Sequence, residues 1–138
     1  MNNTIKKFID FFFNKNFFIF IVIGVINTFN GAIISFLLSS LLKLQGNVAF
    51  IIGYILSLAI AYILNSVFNF KEKLSFERFI KFAISYIPNF IIQNVVVFIV
   101  FNIMKLPNIV AYIIAAILGI PITFVFLKIF AFKKKEKN

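Results

Sequence analysis

Asn27 and Asn30, Asn65 and Asn69, and Asn89 and Gln93 are pairs of carboxamides spaced three or four residues apart, each inside a long apolar run. That spacing puts the two members of a pair on one face of a helix. A carboxamide facing hydrocarbon without a partner is strongly penalised, so these faces are expected to turn inward. Two inward roles are open to them: interhelical hydrogen bonds, which contribute about 0.6 kcal/mol each in a membrane, or the lining of a polar cleft. A neutral lining of donors and acceptors suits a hydroxyl-rich headgroup such as a sugar better than a cation. Asn27 and Asn89 favour the second role, because they keep the same place in two halves of the chain whose surrounding residues differ.

Ionisable groups are placed differently. No Asp, Glu, His, Lys or Arg stands in the middle of an apolar run, and the only acids are Asp10, Glu72, Glu77 and Glu136. A pump driven by protons or sodium needs a buried ionisable group to couple to, so a transporter with this sequence would let its cargo run downhill. The same residues argue against an enzyme. There is no cysteine or histidine, no cluster of carboxylates to hold a metal, and no nucleophile with an adjacent base, so neither catalysis nor a cofactor is expected.

The 14 Lys and Arg residues flank the apolar runs. Lys81 and Lys128 lie deepest, within a turn or two of the runs' ends, and with Arg78 they are the cations placed to reach a lipid phosphate. The net charge of +10 therefore reads as a membrane-facing rim and excludes nucleic acid as a partner.

These residues must be positioned by transmembrane helices. Apolar residues make up 62% of the 138, the mean hydropathy is +1.06, and about 20 apolar residues cross a bilayer core. The fold expected is all-α: a single polytopic domain with helices over about residues 17–42, 48–70, 79–104 and 110–132. The segment Lys43–Lys71 returns as Lys105–Lys133, offset by 62 residues, without a gap and with 12 identities in 29. The chain is thus one helical hairpin used twice. Counting Lys and Arg by side gives 12 at the two ends and the central loop, against Lys43 and Lys105, so both termini are expected in the cytoplasm, with the two hairpins facing the same way as a parallel repeat.

Ahead of the first span, Ile5, Phe8, Ile9, Phe12 and Phe13 recur at helical spacing within Met1–Asn16, the pattern of a helix lying in the headgroup layer. The apolar run after it is too long for a signal peptide and carries no small-residue cleavage site, so the segment is expected to be retained. Pro88 and Pro121 each fall inside a span and imply kinks, while Gly24, Gly31, Gly53 and Gly119 would permit close helix packing.

With these residues in place, the chain resembles the GtrA-like family of small four-helix membrane proteins over about Phe17 to Phe132. Phe20, Gly24, Asn27 and Thr28 are similar to that family's F-x-x-x-G-x-x-N-T, and Asn65, Phe68 and Phe70 to its N-x-x-W-x-F, with Phe for Trp. Lys81 and Phe82, then Lys128, Phe130 and Phe132, resemble its basic-aromatic start and R-x-W-x-F close in the second half. The sequence departs from the pattern at Ser66, where a basic residue is common, at Ile19, which lacks a charge, and at Leu127, which replaces an Asn.

The resemblance implies a part in cell-surface polysaccharide modification in the bacterial cytoplasmic membrane. It implies flipping of a polyprenyl-phosphate-linked monosaccharide to the outer leaflet, with membrane glycosyltransferases making and using the lipid. Asn27, Thr28, Asn30, Asn65, Asn69, Asn89 and Gln93 would then line the sugar's cleft, and Lys81, Lys128 and Arg78 would meet the phosphate. The alternative is an accessory subunit that anchors a glycosyltransferase and moves nothing. Four short helices enclose little volume, so a homodimer is compatible with either.

Overall fold

A computed structural model describes residues 2–133; Lys134, Lys135 and Lys137 of the basic tail lie outside the described residues. All regular structure among the described residues is helical. Four helical stretches among the described residues are long and apolar enough to cross a membrane: Asn3–Leu41, Gly46–Asn69, Phe76–Ile103 and Asn108–Ala131. They divide into two compact units, Met1–Leu74 and Ser75–Asn138.

In the first unit, α1 (Asn3–Phe12) leads into α2 (Lys15–Leu41), and a short turn returns the chain as α3 (Gly46–Leu64), which ends in a π-helical turn, π1 (Asn65–Asn69). Asn14 separates the first two helices by using both ends of its amide. Its Nδ2 donates to the Phe11 carbonyl at 2.8 Å, closing α1, and its Oδ1 accepts from the Phe17 N–H at 3.0 Å, opening α2 as an N-cap. Ile5, Phe8, Ile9 and Phe13 are exposed. Phe12 turns to Phe17, with ring centroids 6.1 Å apart.

α2 and α3 pack along their length through small residues. A methyl group built on Gly53 would collide with Ser35 Oγ and stand 3.0 Å from the Ser35 backbone nitrogen, and one built on Gly31 would stand 3.2 Å from Ser57 Oγ. Gly24, by contrast, has open space beside it, so it contributes nothing to this crossing.

The second unit repeats the plan. α6 (Asn108–Phe126) and π3 (Leu127–Ala131) start and end 62 positions after α3 and π1. Lys105 has φ 56° where Lys43 has φ 55°, so the same left-handed residue closes both hairpin turns. The π turns are alike as well: the Phe70 N–H reaches the Asn65 carbonyl at 2.8 Å and the Phe132 N–H reaches the Leu127 carbonyl at 2.8 Å, each bond spanning one residue more than an α-helical bond.

The first span of the second hairpin, expected over about 79–104, is a single apolar stretch, Phe76–Ile103. It begins earlier, at Phe76, because the Ser75 side chain accepts from the Arg78 N–H at 3.1 Å and caps α4 (Phe76–Ile84). It is then interrupted at Ser85 and Tyr86 before α5 (Ile87–Val97) and π2 (Phe98–Ile103). Pro88 explains the break, since it has no N–H to offer the Ile84 carbonyl and its ring crowds the preceding turn. Ser85 Oγ donates to the Lys81 carbonyl at 2.7 Å and adds a local bond at the break. Pro121 lies inside α6 without ending it, so the two prolines act differently. α5 packs on α6 and α4 on π3. The α4 and π3 contact is aromatic: Phe82, fully buried, meets the Phe132 ring at 6.0 Å between centroids.

Candidate functional site

In each unit the polar side chains gather where the two helices of a hairpin meet. In the second unit Asn89 and Gln93 lie half-buried on α5, with their amide ends over the backbone of Gly119 in α6. A methyl group built on Gly119 would collide with Asn89 Oδ1 and stand 2.6 Å from Gln93 Nε2. The glycine is therefore the floor on which both amides rest. The 62-residue offset pairs Gln93 with Gly31 and Gly119 with Ser57, and Gly31 and Ser57 face each other in the first unit. The same crossing thus has its glycine on the first helix in one hairpin and on the second helix in the other.

Asn27 and Asn30 are half-buried on α2. Oδ1 of Asn27 is enclosed and lacks a hydrogen-bond partner, and so is Oδ1 of Asn89, the residue at the same repeat position. Thr28 is exposed, and its Oγ1 donates to the Gly24 carbonyl of its own helix at 3.0 Å, which separates it from the enclosed face that Asn27 presents.

Asn65 and Asn69 are brought together in π1. Asn65 Nδ2 donates to the Ala61 carbonyl at 2.9 Å, and Asn69 Nδ2 donates to Asn65 Oδ1 at 3.0 Å. Beside them, Ser66 Oγ and Asn69 Oδ1 are enclosed with no hydrogen-bond partner. Buried polar atoms without partners are rare in folded proteins, and four of them here fall on or beside the carboxamides that the sequence singles out.

The three candidate phosphate-binding cations belong to elements of the second unit that pack together. Lys81 and Arg78 are half-buried on α4 and Lys128 is half-buried in π3. Lys81 Nζ is held by Glu77 Oε1 at 3.0 Å, one helical turn back, and lies 5.8 Å from the centre of the Phe130 ring. Lys128 Nζ lies 5.7 Å from the centre of the Phe124 ring. Both lysines are thus within cation–π range of a ring, and Lys81 is also paired with Glu77. By the repeat offset, Lys81 and Lys128 stand where the first unit has Ile19 and Ser66, so the first unit has no cation at either place. Among the described residues no group of His, Cys, Asp or Glu is arranged to hold a metal.

The amides are legible in the sequence; what they rest on is not. Gly119 was legible only as a packing residue, and Ser66 only as a departure from a motif; the offset that pairs Gln93 with Gly31 is the signal that could have exposed the exchange of small and large residues.

The family model described as GtrA/DPMS, transmembrane domain, matches residues 19–132. A comparison with curated proteins finds no match. The match covers most of the chain, and the chain belongs to the GtrA/DPMS transmembrane-domain family. Membership makes it a multi-pass membrane protein and points to the handling of polyprenyl-phosphate-linked sugars.

Proposed function

We propose that this member of the GtrA/DPMS family moves a polyprenyl-phosphate-linked monosaccharide from the cytoplasmic to the outer leaflet of a bacterial cell membrane. The observation that carries the reading is the pair of enclosed, unpartnered carboxamide oxygens, Asn27 Oδ1 and Asn89 Oδ1, at equivalent positions of the two repeats. An oxygen enclosed without a donor is costly in an apolar surrounding, and a sugar hydroxyl is the donor that would relieve it. Lys81, Lys128 and Arg78 on the second unit supply charge for the phosphate, and the exposed apolar surface of the helices suits the hydrocarbon of a long lipid. No coupling group is needed, because a cargo made on one side and consumed on the other runs down its own gradient. In this scheme one membrane glycosyltransferase loads the lipid inside and another uses it outside.

The test is reconstitution into liposomes, with leaflet exchange of a polyprenyl-phosphate hexose measured by access of a membrane-impermeant oxidant to its sugar. Exchange well above protein-free liposomes is expected, together with its loss when Asn27 and Asn89 are both changed to Leu. Unchanged exchange with wild-type protein would overturn the proposal. A cell in which the protein with Asn27, Asn65 and Asn89 all replaced by Leu still supports glycosylation would favour the anchoring subunit instead.

A further inference from the structure

The two π turns provide an internal control. π1 and π3 share their length, their position in the repeat and their closing backbone bond. Their first and last residues are buried to the same degree: Asn65 at 1% and Asn69 at 5% exposure in π1, Leu127 at 0% and Ala131 at 3% in π3. Leucine and alanine therefore build this turn without any side-chain hydrogen bond, and the carboxamides of π1 are not needed to form it. Keeping polar groups at such positions works against stability unless they serve something else.

The hydrogen bonds also settle which way the amides point. The Ala61 carbonyl can only accept, so Asn65 must turn its Nδ2 to it, which leaves Asn65 Oδ1 facing Asn69. Asn69 must then present its own Nδ2 to that oxygen, and the end left without a partner is an acceptor, Oδ1. Three residues earlier in the same turn, the hydroxyl of Ser66, at 0% exposure, also lacks a partner.

We infer that Asn65, Ser66 and Asn69 form an occluded hydrogen-bonding subsite, present in the first unit alone, that takes hydroxyl groups of the ligand's sugar. Asn69 Oδ1 accepts from one hydroxyl, and Ser66 Oγ accepts from or donates to another. Asn65 is a positioning residue that fixes the orientation of the Asn69 amide. A deprotonated phosphate oxygen cannot fill this subsite, because it brings no proton to Asn69 Oδ1. The occluded turn must open to load it. The inference rests on the proposed handling of a lipid-linked sugar and assigns the sugar's hydroxyls to π1, whereas the corresponding position in π3 carries Lys128.

The experiment uses the full chain in detergent and compares Ser66→Ala with wild type. Thermal unfolding is followed without ligand, then with farnesyl phosphate, and then with farnesyl phosphate carrying glucose, galactose or mannose. The ligand-free variant is expected to melt at or above the wild-type temperature, since it loses a buried hydroxyl that bonds to nothing. Its affinity for the best hexose lipid should fall about tenfold, the loss of one hydrogen bond, while its affinity for bare farnesyl phosphate stays the same. A lower melting temperature without ligand would mean that Ser66 has a structural partner and would overturn the subsite. Equal affinity of variant and wild type for the hexose lipid would overturn it too, while leaving the transport reading intact. Failure of wild type to bind any of the hexose lipids would remove both.

Discussion

Changing Gly119 to Ala separates the role of a helix contact from the role of the amides that rest on it. Alanine in a helix interior is favoured over glycine by about 1 kcal/mol. Against that gain, the atoms nearest the new methyl group belong to two side chains, Asn89 Oδ1 and Gln93 Nε2, with Asn89 Cγ at 3.0 Å behind them. Asn89 Oδ1 has no hydrogen bond to lose, so displacing it costs roughly the 0.5–1.5 kcal/mol of an unfavourable side-chain torsion. The two effects nearly cancel, and the stability of Gly119→Ala should stay within about 1 kcal/mol of wild type.

Gly53→Ala provides the contrast. There the methyl group meets the Ser35 backbone, at 3.0 Å from its nitrogen and 3.1 Å from its Cα. The helices themselves must part, at about 1–3 kcal/mol or more for an overpacked contact. Thermal unfolding in one detergent should therefore rank Gly53→Ala below both wild type and Gly119→Ala. If the proposed transport reading holds, leaflet exchange in liposomes should fall about tenfold or more for Gly119→Ala, the cost of one hydrogen bond between the displaced amides and the proposed cargo. A Gly119→Ala protein that exchanges lipid at the wild-type rate, or that melts as low as Gly53→Ala, would refute the view that Gly119 is there to seat the amides.

Two further outcomes follow from the same contacts. Asn65→Leu alone should destabilise the protein by about 1–2 kcal/mol, because Asn69 loses the acceptor of its Nδ2 and is left buried with neither end bonded. Adding Asn69→Ala, which copies the Leu127 and Ala131 of π3, should restore at least wild-type stability, giving a coupling of about 1 kcal/mol or more in a double-mutant cycle of melting curves. Glu77→Gln releases Lys81 from its ion pair; on an exposed helix turn this should change stability by less than about 0.5 kcal/mol. It should tighten binding of farnesyl phosphate a few-fold at low salt, with the gain shrinking as salt is added.

The apolar spans and the 62-residue repeat are local properties, and the sequence by itself determined them. A run of hydrophobic residues has nowhere to go but the bilayer, and two segments with the same turn and the same apolar spacing fold alike, which is why α3 and α6 begin and end at equivalent residues. The break before Pro88 was also implied locally, although its position at Ser85 and Tyr86 and the early start at Phe76 came from capping and side-chain bonding around the turn. Tertiary structure alone decided which polar atoms are satisfied. Thr28 and Asn27 are adjacent in sequence, yet the hydroxyl of one bonds within its own helix while the oxygen of the other is enclosed without a donor. The register that brings Gly119 under Asn89 and Gln93 is equally invisible in one dimension, as are the π turns, whose backbone bonds shift by a single residue with no marker in composition. Hydrogen bonds and close contacts act over about 3 Å, and only the packed helices fix distances on that scale.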